Sequence, residues 1–122
     1  MACTNTRKTA STFGSMITLP KGAGTFYEGA LVAIAAGKAV PAAKATGQPA
    51  IGMAYLVTDT VITVERGAHL WDNDATNPVT DTHICGSCYI VDDCTVSSLS
   101  TGSSVAGKVL GFEDNQVIVE TL

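Results

Sequence analysis

Two stretches of the chain share one pattern and determine how the rest is interpreted. Residues 51–65 are IGMAYLVTDTVITVE, and residues 106–120 are AGKVLGFEDNQVIVE. They align without a gap and share a glycine at the second position, an aspartate at the ninth and a closing Val-Glu pair. In each stretch two apolar runs flank a short polar turn, which is the pattern of a β-hairpin. The sequence therefore predicts two copies of one hairpin unit.

A shorter hairpin precedes each of these stretches. Residues 31–40 and 88–96 both contain an apolar strand, a turn and a return strand, and they correspond once a gap is allowed. No amphipathic helix of more than two turns is found. We therefore predict an all-β fold, a small antiparallel β-barrel or sandwich of two related hairpin units, forming a single domain over residues 25–122.

The first 24 residues differ from this pattern. Thr, Ser, Lys and Gly dominate residues 1–24, and the apolar residues at 16–19 are followed by Pro20 and two glycines. Residues 1–44 contain five basic residues and one acid, whereas residues 45–122 contain two basic residues and ten acids. This asymmetry favours an extended N-terminal arm at 1–24 that docks on a partner, with a solvated tail as the alternative.

Composition excludes several classes of protein. The chain has 122 residues, enough for one core, and is 46% hydrophobic and only 15% charged, which excludes intrinsic disorder. A sequence pI of about 4.8 excludes a basic nucleic-acid-binding protein. No apolar run is long enough for a membrane span, and no apolar leader follows the polar start. We therefore expect folding in a reducing cytosol, with free thiols.

One CxxC motif is present, CGSC at residues 85–88, with His83 and Cys94 nearby. A zinc site would use His83, Cys85, Cys88 and Cys94, but structural zinc sites take ligands from two separated knuckles, and the sequence has no second one. A thioredoxin-like motif opens a helix, whereas a strand pattern follows here. We favour a buried Cys88 and a loop thiol at Cys85. A small zinc or thiol protein using Cys85, Cys88 and Cys94 is kept as an alternative.

No group of residues has the pattern of a catalytic site, so we expect a protein that is not an enzyme and needs no cofactor or metal. His69 lies in a strand pattern, where a structural role is commoner. Residues 72–74 match half of a calcium loop but lack its later Gly and Glu. A ligand- or carbohydrate-binding β-module, with Trp71 and Tyr89 as stacking platforms, is a further alternative, although a tryptophan at this place more often anchors a small core.

The order of these segments resembles the head decoration, or capsid cement, proteins of tailed bacteriophages, of lambda-like and Mu-like type. The resemblance covers residues 29–122. It departs from the family pattern at residues 85–87, where a Gly-Lys pair is more usual. The segments that carry the resemblance are LVAI at 31–34, GKAVPA at 37–42, AIGMA at 50–54, VITV at 61–64, YIVDD at 89–93, TV at 95–96 and AGKV at 106–109.

This resemblance implies a structural virion protein, made in the host cytoplasm, that binds the outer surface of the expanded head and stabilises it. Its partners would be the major capsid protein and further copies of itself, as a homotrimer or alternatively a dimer, with no nucleic acid and no membrane. We hypothesise that the arm carries the docking, because an extended segment can add a strand to an exposed sheet edge. The capsid-binding candidates are Arg7, Lys8, Phe13, Ile17 and Leu19.

Overall fold

The structure is a computed structural model that describes residues 15–121. This part of the chain contains ten strands and one short 3-10 turn, Asp81–His83, which precedes the seventh strand. The predicted all-β fold is therefore confirmed. The strands are β1 (Met16–Pro20), β2 (Leu31–Ala35), β3 (Lys38–Pro41), β4 (Ala50–Val57), β5 (Val61–Glu65), β6 (Ala68–Asn73), β7 (Ser87–Ile90), β8 (Thr95–Ser97), β9 (Val105–Glu113) and β10 (Gln116–Glu120).

The ten strands form two sheets with the same connectivity. The first has the order β1-β5-β4-β2-β3, and the second is a closed barrel in which β6-β10-β9-β7-β8 follow one another in the same way. Each strand of the first sheet thus has its equivalent five strands later. We call residues 15–66 the first unit and residues 67–121 the second unit. The predicted internal duplication is confirmed, and each copy contains five strands because β1 and β6 join the two hairpins.

The equivalence extends to the pairing of individual residues. Met16 pairs with Glu65 at one end of β1, as Ala68 pairs with Glu120 at the same end of β6. In the central strands, Val32 lies opposite Gly52, as Cys88 lies opposite Gly107. Register in a sheet decides which side chains face inward, so matching registers place matching positions inside both units.

The two units differ at the junction between the first and the third strand of each unit, β1 with β3 and β6 with β8, which we call the seam. In the second unit β6 and β8 pair in parallel, and the N–H groups of Asp72 and Asp74 donate to Cys94 and Val96 carbonyls at 2.9 Å. This parallel pair departs from the all-antiparallel sheet expected from the sequence. In the first unit the described seam consists of a single parallel bridge between Lys21 and Ala39. Next to it, the Gly22 N–H donates a hydrogen bond to the Ala39 carbonyl at 2.7 Å.

Proline explains this difference. Pro20 lies opposite Val61, and Asp72 lies opposite Gln116, so Pro20 and Asp72 are equivalent positions. Proline has no N–H to donate, so the hydrogen bond that Asp72 makes across the second seam cannot form in the first. The first unit therefore keeps a partly open edge along β1.

The boundary predicted at residue 24 does not match the fold. Residues 16–20 pair along their whole length with β5. The folded domain therefore includes these residues and does not start at residue 25. Ile17 and Leu19 alternate with outward residues and pack against the core of the first unit, which explains why this short run forms a strand. Residues 1–14, the rest of the predicted arm, lie outside the described residues.

Equivalent positions fill the interiors of both units. Five side chains, each at most 1% exposed, form the core of the first unit: Val32, Ala39, Ala54, Ile62 and Val64. Their counterparts in the second unit are Cys88, Val96, Val109, Val117 and Val119, all fully buried. The buried cluster of the second unit extends to Leu31, Ala33 and Ala50 of the first, so the two units share packing.

Candidate functional site

The five predicted docking residues fall into two groups. Arg7, Lys8 and Phe13 lie outside the described residues. Ile17 and Leu19 lie on β1, where both side chains are half-buried against the core of the first unit. This packing gives them a structural role that the sequence prediction did not include.

The outward face of β1 carries different side chains. Met16 is 39% exposed, and the Thr18 hydroxyl lies 3.2 Å from that of Thr63 on the neighbouring strand. The backbone of β1 pairs on one side with β5, and on the other side the described backbone contacts come just after Pro20, at the Lys21 bridge and the Gly22 N–H bond to Ala39. The second edge of β1 is therefore unpaired from Met16 to Pro20 among the described strands. Backbone groups along such an edge are available to an added strand.

The proposed zinc ligands point to different places. The Cys88 thiol is buried in the second unit, where it donates to the Gly107 carbonyl at 3.7 Å, and burial raises its pKa to about 12. Cys85 is exposed on a loop. The Nδ1 atom of His83 accepts a hydrogen bond from the Thr80 N–H at 2.9 Å. The ligand atoms of His83, Cys85 and Cys88 do not form a group of metal-ligand spacing among the described residues, and the predicted role of Cys88 as a buried apolar side chain is confirmed.

A small acidic group lies at the turn between β7 and β8. Among the described residues, Asp92, Asp93 and Cys94 are the three whose possible ligand atoms lie within 4.8 Å of one another. Burial raises the pKa of Asp92, but hydrogen bonds led by the one from the Cys94 N–H outweigh it and leave the pKa lowered. The carboxylate thus closes the turn, accepting from the Cys94 N–H at 2.9 Å and from its thiol at 3.3 Å. This arrangement accounts for Asp92 as a turn residue.

The half calcium loop has a structural role as well. The side chain of Asn73 both donates to and accepts from the backbone of Val79, at 2.9 and 2.8 Å. Asp74 accepts from the N–H groups of Thr76 and Asn77, each at 3.2 Å. The bond from Thr76 is the main reason why the pKa of Asp74 is lowered. These side chains hold the 74–79 loop closed.

Trp71 is not available as a stacking platform. Its side chain is 4% exposed and lies in the core cluster of the second unit, at the position that Leu19 occupies in the first. His69, two residues earlier, places Nε2 at 2.8 Å from Oε1 of Glu65, which joins the end of the first unit to the start of the second. The structural roles expected for both residues agree with this placement, and the carbohydrate-binding alternative loses one of its two platforms, Trp71.

An open depression of about 450 Å³ was not predicted from the sequence. It lies in the second unit between residues 79–81 and the β9–β10 turn at 112–115, with Asn73 at its base. Phe112 is 39% exposed there, and Asp81, Glu113 and Asp114 add three carboxylates. The residues that line the depression come from two segments that are distant in sequence. The aligned hairpin turns of residues 51–65 and 106–120 were the sequence feature that pointed to one of these segments.

Comparison of the chain with protein-family models, curated proteins and solved structures gives no match. None of the helices in the described part of the chain has the length and apolar character to cross a membrane.

Proposed function

We propose that this protein is a head decoration protein of a tailed bacteriophage, a non-enzymatic component of the virion. It binds the outer surface of the expanded head after synthesis in the host cytoplasm. Its partners are the major capsid protein and other copies of itself, as a homotrimer or, alternatively, a dimer. The proposal rests on the resemblance over residues 29–122, together with the fold and the edge strand described above.

The open edge of β1 is the observation that carries the docking part of this proposal. The equivalent strand β6 pairs with β8 at Asp72 and Asn73, whereas among the described residues β1 is bridged to β3 only at Lys21, because Pro20 has no N–H to donate. Residues 1–14, which contain Arg7 and Lys8, lead directly into this strand. An extended capsid segment that adds to β1 gains main-chain hydrogen bonds, and residues 1–14 supply the further contacts without which this short pairing is too weak to hold the head.

The roles of the predicted docking residues follow from the fold. Since Ile17 and Leu19 pack inward, they are not the side chains that contact the capsid. Arg7, Lys8 and Phe13 make these contacts, together with the outward face of β1. Two packed β units form a stiff body, so little conformational entropy is lost on binding. Symmetric copies on one particle then convert a weak contact into high avidity.

The proposal is tested by co-sedimentation with expanded heads built from the major capsid protein of the phage that encodes this chain. We expect a chain lacking residues 2–14 to remain folded and to lose head binding. Arg7→Ala with Lys8→Ala should weaken binding, whereas Lys38→Ala, a cation at the β2–β3 turn, serves as the matched control. Unchanged co-sedimentation of the truncated chain would contradict the docking role of this segment, and no binding of the full chain would contradict the proposed function.

Self-association is measured separately. Sedimentation velocity of the free protein and of protein released from heads distinguishes a trimer from a dimer. A chain that stays monomeric at every concentration and also on heads would contradict the homo-oligomeric part of the proposal.

A further inference from the structure

The depression in the second unit has the chemistry of a site for a cation. Asp81 comes from the loop before β7, and Glu113 and Asp114 come from the β9–β10 turn. The ring of Phe112 lines the same space, and no basic side chain is among its lining residues. Carboxylates and an aromatic face both attract an ammonium group.

The first unit shows what occupies the equivalent place. Lys21 pairs in parallel with Ala39 as Asn73 pairs with Val96, so Lys21 and Asn73 are equivalent. The Nζ atom of Lys21 donates to the Thr58 carbonyl at 3.3 Å and lies 5.5 Å from the ring centroid of Phe26. A lysine side chain thus spans the loop before β2 and the β4–β5 turn.

The second unit has no such side chain of its own. Asn73 instead uses its amide to bond the backbone of Val79, once as donor and once as acceptor. Glu113, the equivalent of Thr58 at the hairpin turn, replaces a neutral residue with a carboxylate. The second unit therefore combines an open cleft with more negative charge than the filled site of the first.

We propose that this depression is a binding site for a lysine side chain on the surface of a partner protein. The ammonium group pairs with Asp81 and Glu113, and the aliphatic part of the side chain packs on the exposed ring of Phe112. The bound lysine takes the place that Lys21 fills within the first unit. The proposal rests on this internal comparison and is independent of the proposed function.

The charge of the second unit supports such a partner. Residues 67–121 contain eight acids and one lysine, whereas residues 15–66 contain three acids and four basic residues. A surface with this excess of negative charge attracts a basic partner electrostatically, and dissolved salt reduces the range of that attraction by screening. Binding at the depression should therefore weaken as ionic strength rises.

The test uses the full chain, labelled with ¹⁵N, and the probe N-acetyl-lysine methylamide. Its neutral counterpart, N-acetyl-norleucine methylamide, has a side chain of similar length without the ammonium group. We expect the lysine probe to shift the amide signals of Asn73, Thr80 and Asn115 in a saturable manner, and added salt to reduce the effect. The norleucine probe should leave these signals unchanged.

Variants then identify the carboxylates. Asp81→Asn combined with Glu113→Gln should abolish the shifts while the remaining amide signals keep their positions, which shows that the fold is intact. Asp59→Asn, at the equivalent hairpin turn of the first unit, is the matched control and should bind as the unchanged chain does. Equal shifts with both probes, shifts confined to other surfaces, or full binding by the double variant would each overturn the proposal.

The same double variant separates this proposal from the proposed function. If it loses the lysine probe and still binds heads, the site exists and serves another partner. If the unchanged chain fails to bind heads but binds the probe, the proposed function falls and the site remains.

Discussion

Gly52 and Gly107 occupy equivalent positions in the two units, and each lies against the carbonyl oxygen of the glutamate that ends the neighbouring strand. A Cβ atom added at Gly52 would collide with the carbonyl of Glu65 and come within 2.8 Å of a methyl of Val64. At Gly107 it would collide with the carbonyl of Glu120 and come within 2.7 Å of a methyl of Val119. The glycine is thus required in both copies by close packing between strands.

This packing predicts a large effect of Gly107→Ala. The colliding atoms are backbone, which cannot move aside, so we expect the free energy of unfolding to fall by about 2–4 kcal/mol. Gly111→Ala is the matched control, because its Cβ would meet its nearest atom, a methyl of Ile118, at 3.9 Å. Urea denaturation measures both variants. Equal stability of the two would show that the close contact in β9 does not constrain the sequence.

Cys88 should be protected from alkylation in the folded protein. The reactive form of cysteine is the thiolate, and burial raises the pKa of Cys88 to about 12, whereas Cys85 and Cys94 are exposed. Peptide mapping by mass spectrometry after treatment with iodoacetamide at pH 8 should find label at Cys85 and Cys94. Label at Cys88 should appear only after the protein is denatured. Labelling of Cys88 in the folded protein, at a rate like that of Cys85, would contradict its buried position.

The equivalence of Cys88 and Val32 also predicts that Cys88→Val is tolerated. Both positions lie opposite a close-packed glycine and inside a unit. A change between small apolar side chains of similar volume should alter the free energy of unfolding by less than about 1.5 kcal/mol. Cys88→Asp, which buries a charge at the same site, is the contrasting variant and should prevent folding. Unfolding of the valine variant would argue that the two interiors are not equivalent.

Asp74 should make stability depend on pH in the acidic range. Its pKa is lowered, mainly by the hydrogen bond from the Thr76 N–H, so the folded state favours the carboxylate. This stabilisation is present above the unfolded pKa of about 4 and is lost as the pH falls through the lower folded value. Asp74→Asn should therefore be less stable than the unchanged chain at pH 7, with a difference that shrinks towards pH 3. A difference that stays constant with pH would contradict this role.

Lys21 should stabilise the first unit through its contacts with Phe26 and Thr58. Removing the ammonium group in Lys21→Met keeps the apolar part of the side chain and loses the cation–π contact and the hydrogen bond. We expect a loss of about 0.5–1 kcal/mol, since the site is only partly buried. Lys38→Met, at an exposed turn, is the control. Equal effects would show that Lys21 acts through net charge alone.

The hairpins could be predicted from the sequence because each is local. In β4 with β5 and in β9 with β10, apolar alternation and a turn lie within about fifteen residues. The strand β1 could not, because its partner lies far along the chain: Thr18 meets Thr63, 45 residues away. A five-residue run that is followed by proline and glycines has too little local signal to be distinguished from a linker.

The candidate site residues divide in the same way, into those that a local pattern predicts and those that depend on a distant strand. The buried role of Cys88 was predictable, because it depends on alternation within one strand. The inward packing of Ile17 and Leu19 depended on a distant strand and was missed. The depression was missed for a related reason, since residues 79–81 and 112–115 meet through the barrel and not through the chain.

The hydrogen bond that Pro20 cannot form also determines how the molecule responds to mechanical force. Tension applied through the N-terminal residues loads the β1–β5 ladder first, since the contacts on the other side, at Lys21 and Gly22, come after the end of β1. The ladder can then open one bond at a time from Glu65 towards Val61. The corresponding strand in the second unit is paired along its length with β10 and is held in addition by the parallel pair that Asp72 and Asn73 make with β8. Strand β1 can thus be pulled from β5 while the strands of the second unit stay paired.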